Sequence, residues 1–600
     1  MRQSWVSWTL VKDSAARFWP LWLAFLGAWT LGLLLPLAVL APQSPFSAGE
    51  QLFASAWAGE YAASLLGTAV ASVIAVSLVF EYLFSPTSAQ FHGSLPLKRG
   101  ALFASSYLGG LLPLVVVELL VFAVLMVFVT LMPQIGMEHV LRWLGLTLSF
   151  TFVSYNMACL CAQLTGSKAM ASWLFILGNL LVVTVEEVLR AMAETMLVGT
   201  TLMTGVPATL WTSPLGGLFY YVINPEVSFN GGLALDGQSA LILAAYLLAA
   251  LVFLAVALLL NKRRSLEQAG NTAAYAGVRV VFKYVIGVCA AVAVGFISLF
   301  CMLVNGGSYI TNSQAGVMTA FMILGGFAGV FFAELALNKS TRVIGKTWRG
   351  GLAVAVLCVA FTGCCIFDAF NIKGFVPQVS QVKQVAVEFN NLNGEVILSS
   401  DESITELTRI HRELLELPES AIGIDSSTPG GAVGYSYVAF TYTLDDGRIV
   451  SRNYELSYPE DGNPALTESQ EVHNELGKLL STPESKLSVL DQIMEVEPSR
   501  LDAVLSTGWE EEKGYESEVH VDYSLLDSFW KALEKDLVEH ELGSVSLGSG
   551  DGMSVEGAAP LDISGYRPDG SYVCVYYMVS QKIAPNTCAW FEKNYHVELS

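Results

Sequence analysis

The residue types that most often carry catalysis or bind metal are sparse in this sequence. Its seven histidines include no His-Glu-x-x-His pair and no metal-binding spacing with cysteine. They are His92, His139, His411, His473, His520, His540 and His596. The sequence therefore predicts no catalytic residues and no metal site.

A phosphate-binding loop is suggested by Gly345, Lys346 and Thr347, but the spacing is wrong. A Walker A loop needs Gly-x4-Gly-Lys-[Ser/Thr], because successive backbone amides of the turn cradle phosphate. The earlier glycine would be at position 340, which is Ser340. The segment is interpreted as a basic loop.

Two acidic residues fall inside apolar runs, where a carboxyl group is costly and suggests function. Glu118 could line a conduit or pair with a cation, or it could form a structural hydrogen bond near a kink at Pro113. Glu334 lies close to Lys339 and Arg342 in the sequence. It is therefore interpreted as an interfacial residue.

Seven of the nine cysteines lie in apolar runs and are interpreted as small apolar residues. The other two, Cys574 and Cys588, lie near the C-terminus. If that part of the chain is outside the cell, a disulfide between them is permitted, and the prediction is that they pair.

The composition indicates an integral membrane protein. Of 600 residues, 53% are hydrophobic and only 14% are charged, well below the charged fraction of soluble domains. Residues 1–372 contain 17 Lys and Arg and 14 Asp and Glu, whereas residues 373–600 contain 15 and 39. An apolar half is thus followed by an acidic, water-soluble half, called the acidic region below (373–600).

About 20 apolar residues are needed for a helix to cross the hydrocarbon. Nine runs meet or approach that length. Lys and Arg near span ends stay on the cytoplasmic side, so the N-terminus of the chain is predicted to be cytoplasmic. Fifteen cations then fall inside and two, Arg142 and Arg190, outside. With nine spans the acidic region is extracytoplasmic. The runs are 18–41, 62–84, 103–132, 143–164, 169–189, 239–260, 284–304, 314–337 and 351–370.

One further apolar segment, 195–223, is broken by Pro207, Pro214 and several glycines. It is interpreted as a re-entrant pair dipping in from the outer face. The alternative is a tenth span, which would place the basic residues at 262–264 outside, against the cation rule.

Two short segments stand out at the ends of the first spans. Residues 1–17 suit a helix in the membrane interface that turns into the first span at Pro20, with an ordinary aromatic anchor as the alternative. The loop between the second and third spans contains Leu95, Leu97, Lys98, Arg99, Leu102 and Phe103. A short amphipathic helix is predicted there, presenting an apolar and cationic knob to the cytoplasm.

These features together resemble bacterial ABC-2 type transporter permeases: the Arg17-Phe18-Trp19-Pro20 entry, the Leu-Pro-x-Lys-Arg turn, the broken outer segment and the basic exit after the sixth span. The resemblance covers residues 1–265 and implies an elbow helix and a coupling helix that seats in a cytoplasmic ATPase. The three extra spans and the "FVPQVSQVKQVAV" stretch at 375–387 resemble large permeases of Gram-positive bacteria. The implied coupling residues are His92, Leu95, Pro96, Leu97, Lys98 and Arg99.

The predicted fold is a polytopic α-helical membrane protein with a C-terminal α+β extracytoplasmic domain. Its predicted parts are an elbow helix (1–17), a six-span permease core (18–265), three additional spans (266–372) and the acidic region (373–600). Within the acidic region, a helix, a hairpin and a helix occur twice, the first hairpin turning at Asp445, Asp446 and Gly447.

Two functions remain open. The first, implied by the resemblance, is a permease subunit that dimerises, as a homo- or heterodimer, and exports an amphipathic, peptide or lipid-like substrate. ATP and Mg²⁺ would bind the partner ATPase, and no cofactor or nucleic acid is expected on this chain. The second is a membrane sensor or scaffold whose outer domain binds a ligand. A secondary transporter is disfavoured, because inverted repeats are not evident.

Overall fold

The computed structural model describes residues 5–40, 55–132, 136–202, 209–218, 237–271, 274–304, 307–338, 344–389, 395–422, 433–459, 467–510, 515–543, 558–567, 572–597 and 599. The chain forms two compact units. Unit one comprises Met1–Val188, Val206–Val294 and Met322–Val356, and unit two comprises Leu189–Gly205, Gly295–Phe321 and Leu357–Ser600.

Long apolar runs make the first part of the chain helical. Its helices are α1 (Trp8–Arg17), α2 (Trp19–Trp29), α3 (Leu35–Leu40), α4 (Ser55–Val79), α5 (Pro86–Ser94), α6 (Arg99–Leu131), α7 (Met137–Leu164), α8 (Lys168–Glu194), α9 (Pro214–Leu218), α10 (Gly237–Arg263), α11 (Ala276–Leu303), α12 (Asn312–Asn338) and α13 (Ile344–Ile366). A π-helical turn, Thr30–Leu34, joins α2 to α3.

Eight helices in the described part of the chain are long and apolar enough to cross a membrane. They coincide with eight of the nine predicted spans, which confirms a polytopic helical membrane protein. The remaining prediction, 62–84, falls on α4, whose described apolar stretch is Leu65–Val79.

The core of unit one lies between α2, α4, α6, α7 and α10. Trp29 and Trp143 meet edge to face at its centre, with ring centroids 5.2 Å apart, and both are fully buried. Two of the additional helices, α12 and α13, pack closely at Gly326, where a β-carbon would lie 2.7 Å from Val354 Cγ1. Small residues of this kind let helix backbones approach one another in a membrane.

The acidic region contains two four-stranded antiparallel sheets, ordered β2-β1-β3-β4 and β6-β5-β7-β8. The strands are β1 (Val382–Phe389), β2 (Val396–Leu398), β3 (Val433–Leu444), β4 (Ile449–Pro459), β5 (Leu501–Glu510), β6 (Tyr515–His520), β7 (Ala559–Tyr566) and β8 (Tyr572–Val579). The helices are α14 (Asp401–Glu416), α15 (Glu419–Ile422), α16 (Thr467–Leu480), α17 (Pro483–Met494), α18 (Leu526–Glu539) and α19 (Pro585–Tyr595).

The predicted duplication is present, and each copy also has an N-terminal hairpin. The first repeat is β1, β2, α14, β3, β4 and α16, and the second is β5, β6, α18, β7, β8 and α19. The predicted turn at 445–447 joins β3 to β4, with Gly447 at a φ of +82° and its N–H donating to Leu444 O at 2.9 Å. Each repeat encloses its own apolar core.

Candidate functional site

Of the residues predicted to contact an ATPase, His92 lies on α5, whereas Leu95, Pro96, Leu97 and Lys98 form an extended turn. Leu95 and Lys98 have extended backbone angles, and α6 begins at Arg99. The N–H of Leu97 donates to Leu95 O at 2.7 Å, which forms a three-residue turn centred on Pro96. The prediction of an amphipathic helix at this turn is therefore wrong. Helix α5 ends before the turn, because Pro96 disfavours helical angles at Leu95.

The exposed part of this turn differs from the predicted knob. Pro96, Lys98 and Arg99 are exposed, whereas Leu102 and Phe103 are buried in the core of unit one. Leu95 and Leu97 are half-buried. The apolar residues of the predicted knob thus mainly anchor the turn.

Helix α5 adds an exposed aromatic residue that the sequence interpretation missed. Phe91 is 64% exposed, and its ring meets the half-buried His92 at 5.3 Å. His92 is fixed, because its Nδ1 lies 2.8 Å from Ser88 O and its ring packs 5.4 Å from Tyr82. Phe91, Pro96, Lys98 and Arg99 together are called the loop surface below.

A buried arginine holds the loop in place. Arg264 is 4% exposed and follows α10. Its Nη1 donates to Ala162 O at 2.7 Å and Gln163 O at 2.9 Å, and its Nη2 donates to Leu83 O at 2.7 Å. A cation at the C-terminal end of α7 is favoured by the helix dipole and satisfies carbonyls that lack helical partners.

The first residue of α6, Arg99, is hydrogen-bonded to the end of α10 and to Arg264, which follows it. Arg99 Nη1 donates to Arg264 O at 3.0 Å, and Asn261 Nδ2 donates to Arg99 O at 3.4 Å. The basic exit after α10 therefore meets the loop that precedes α6. The sequence shows both as cationic clusters, but it does not show that they touch.

The α7–α8 loop is joined to the segment that follows α10. Gly270, at a φ of +88°, donates its N–H to Gly166 O at 2.8 Å. A β-carbon at Gly166 would lie 2.4 Å from the carbonyl oxygens of Gln268 and Asn271. The loop after α7 and the segment after α10 are thus in main-chain contact.

The predicted elbow residues lie at a break between two helices. Arg17 ends α1, Phe18 leaves helical geometry with a ψ of 25°, and Trp19 begins α2 with Pro20 in its first turn. The guanidinium of Arg17 lies 5.5 Å from the Phe18 ring centre. Trp22 Nε1 spans the break and donates to the main chain of α1 at 2.9 Å.

Helix α1 packs directly on α6. The N–H of Ser7 donates to Ser105 Oγ at 2.8 Å, and a β-carbon at Gly109 would lie 3.0 Å from Ser14 Cβ. Ser105 and Gly109 are one helical turn apart, so they face α1 together. Helix α6 thus contacts the elbow along its first turns and begins directly at the loop surface.

Glu118 lies on α6 and is fully buried in unit one. The hydroxyl of Thr151 on α7 donates to Glu118 Oε1, whereas Glu118 Oε2 has no hydrogen-bond partner among the described residues. Thr147 and Ser154 donate instead to carbonyls of α7 itself. The structural hydrogen bond is present, and one carboxyl oxygen remains available to another group.

The described residues 209–218 of the broken segment lie against α8 and α10. Thr209 N donates to Glu186 Oε2 at 2.8 Å, and Leu215 N donates to Asn179 Oδ1 at 3.2 Å. Asn179 precedes Glu186 by about two helical turns, roughly 10 Å along α8. Between residues 195–202 and 209–218 that the structure describes, no helix is long enough to cross a membrane. The re-entrant interpretation stays a prediction, because residues 203–208 and 219–236 lie outside the described part of the chain.

Glu334 forms an ion pair with a lysine that the sequence interpretation did not name. Lys283 Nζ on α11 lies 2.8 Å from Glu334 Oε1, and both side chains are mostly buried. The close approach of α13 encloses the pair, because a β-carbon at Gly350 would lie 2.6 Å from Lys283 Cε. The expected neighbours, Lys339 and Arg342, lie outside the described residues.

Cys574 and Cys588, which are predicted to pair, form no disulfide in this structure. Side chains of a strand alternate between the faces of its sheet. Val575 and Tyr577 face the core that contains Cys588. Cys574 therefore points to the opposite face, where its Sγ lies 3.4 Å from Asp562 Oδ1.

The described residues include no group of three or more His, Cys, Asp or Glu side chains that could hold a metal ion. Comparison with known proteins found no match to any family model, any curated protein or any solved structure. The functional interpretation consequently depends on the geometry of this chain.

Proposed function

We propose that this chain is the permease subunit of an ABC transporter, and that a separate ATPase binds its loop surface. The chain would export an amphipathic, peptide or lipid-like substrate. The observation that carries the proposal is that α6 joins the loop surface to both α1 and the buried Glu118. A force applied at Phe91 and Lys98 would therefore act directly on a membrane-spanning helix.

The geometry also supports the mode of contact. Phe91 supplies an exposed aromatic anchor, and Lys98 and Arg99 supply positive charge beside it. Aromatic and arginine side chains contribute most to binding at protein interfaces. Arg99 Nη1 donates to Arg264 O, and Arg264 is itself bonded to three main-chain carbonyls, which limits the ordering cost of binding at Arg99.

In this proposal the loop surface faces the cytoplasm and the acidic region lies outside the cell, because most cations of residues 1–372 then fall inside. The subunit would act in the plasma membrane as a dimer, homo- or heteromeric, to meet two ATPases. ATP hydrolysis would alternate the spans between two accessible states.

A membrane sensor or scaffold is the second candidate. It is favoured by the direct contact between the acidic region and the segment that follows α8, where Asn453 N donates to Gly199 O at 3.2 Å. Such a contact could carry a ligand signal to a membrane helix without any ATPase.

Copurification from native membranes distinguishes the two. The test variant combines Phe91→Asp with Lys98→Glu, and the matched control combines Tyr523→Asp with Lys531→Glu, which changes an exposed aromatic residue and an exposed lysine in the acidic region. We expect ATPase activity to copurify with wild type and control but not with the test variant. Absence of ATPase from correctly inserted wild-type protein would overturn the proposal and favour the sensor.

A further inference from the structure

Three consecutive residues of β4, Arg452, Asn453 and Tyr454, contact chain segments that follow membrane helices. They are called the clamp below. Asn453 N donates to Gly199 O, and Thr200 forms an antiparallel bridge with Arg452. Thr200 and Arg452 are therefore a closely spaced, non-hydrogen-bonded pair. The edge of the first sheet is extended by the chain that has just left α8.

Tyr454 fits against a position that only glycine can occupy. Gly199 has a φ of +79°, and a β-carbon there would lie 2.0 Å from the Tyr454 ring. The ring is held from the other side, because its hydroxyl lies 2.9 Å from His411 Nε2. His411 Nδ1 in turn lies 2.8 Å from the Tyr442 hydroxyl. The contact with Gly199 is thus continuous with the buried centre of the first repeat.

Arg452 connects the same strand to the chain that follows α13. It is 5% exposed, and its Nη2 donates to Ile372 O at 2.7 Å and Phe375 O at 3.2 Å. Asp368, at a φ of +42°, fixes this turn by accepting from the N–H groups of Ile372 at 2.7 Å and Lys373 at 3.0 Å. The exit from the last membrane helix is therefore hydrogen-bonded to β4 through the Arg452 side chain.

The loop between α11 and α12 belongs to the same assembly. Ile310 N donates to Thr195 O at 3.0 Å. Tyr309 and Val198 are each 5% exposed and pack in the core of the first repeat. Side chains from the segment after α8 and from the α11–α12 loop thus form part of the apolar core of the first repeat.

We infer that the clamp makes the first repeat a relay between three helix ends. The end of α8, the α11–α12 loop and the turn after α13 open and close with β4 as one cooperative unit. In the proposed transporter, this relay would link events at the acidic region to α8, beside which the broken segment lies. The coupling itself depends only on contacts within unit two and needs no ATPase.

Hydrogen–deuterium exchange of the full-length protein in lipid nanodiscs tests the relay with a matched pair of glycine variants. Gly199 and Gly447 have nearly equal φ, +79° and +82°, but a β-carbon at Gly447 meets no atom within 4 Å. Gly199→Ala therefore adds backbone strain and displaces Tyr454, whereas Gly447→Ala adds strain alone. The readout is the exchange rate of peptides covering 195–200, 307–310, 368–375 and β4.

With Gly199→Ala we expect exchange at least about tenfold faster in all four peptides, because left-handed strain alone corresponds to roughly that factor. Gly447→Ala should accelerate exchange only near the β3–β4 turn. If Gly199→Ala changes only 195–200 and its direct neighbours in β4, the relay does not exist. Tyr454→Phe, which keeps the ring and loses the His411 contact, gives the same comparison if Gly199→Ala does not fold.

Discussion

Arg264 Nη2 donates to Leu83 O at 2.7 Å. The residue that follows α10 is thus hydrogen-bonded to the short segment that follows α4. Sequence separates these two residues by four membrane helices. Arg264 also donates to Ala162 O and Gln163 O at the end of α7. One side chain therefore connects the end of α10 to the end of α7 and to the segment after α4. The rigidity of the proposed ATPase contact depends on this arginine.

Replacement of Arg264 should destabilise unit one. Arg264→Gln leaves buried carbonyls without donors, and each unsatisfied group costs about 1–3 kcal/mol. We expect a lower thermal unfolding midpoint, measured by the reaction of the buried thiols Cys159 and Cys161 with a fluorogenic maleimide. Arg263→Gln is the control, since Arg263 is exposed. Equal midpoints for the two variants would show that Arg264 does not hold the loop.

Glu118 should separate folding from transport. Glu118→Gln keeps an oxygen that accepts from Thr151, whereas Glu118→Ala leaves that buried hydroxyl unsatisfied and removes packing. We expect Glu118→Ala to lower the unfolding midpoint and Glu118→Gln to leave it close to wild type. A large loss of nucleotide-dependent substrate release with Glu118→Gln would assign a role to the free Oε2. Normal release would make Glu118 structural.

The first repeat should lose stability in acid through His411. Burial, followed by the charges of Arg452 and Arg412, lowers the pKa of His411 to about 3 from its ordinary value of 6.5. The folded state therefore binds fewer protons than the unfolded state between these values, and stability falls as the pH drops through that window. The expected loss is roughly 2–3 kcal/mol at about pH 4.5.

Exchange of the β4 and α14 amides as a function of pH measures this effect. His411→Gln should flatten the acid-dependent part of the opening free energy, because the titrating group is gone. The exposed His596→Gln serves as the control. Burial also lowers the pKa of His473, to about 4, so the flattening should be partial. Identical pH profiles for wild type and His411→Gln would refute the assignment.

The acidic region should contain two reduced cysteines. Cys574 is partly exposed and Cys588 is buried, so a maleimide should label Cys574 before unfolding and Cys588 only after it. Peptide masses with and without reductant should be equal once thiols are blocked. A crosslinked peptide containing both residues would contradict the opposite-face geometry.

Much of the fold could be predicted from sequence, because membrane spans depend on local composition. The runs of apolar residues located eight long helices, and alternation with turn residues located the duplicated hairpins. The chemistry of contacts was less predictable. Arg264 was visible only as a cation, since its partners are main-chain carbonyls distant in sequence. The exposure of Phe91 was missed because α5 has no amphipathic pattern. The coupling helix was predicted within the turn, whereas Pro96 restricts the helix to the residues before it.

Photocrosslinking in native membranes can detect a separate ATPase on the loop surface without purification. A benzophenone amino acid would replace Phe91 in one sample and Tyr523 in another. We expect position 91 to form an adduct with an ATP-binding protein and position 523 to form none with it. An inserted protein that yields no such adduct at position 91, or an equal one at position 523, would show that no ATPase binds specifically at the loop surface.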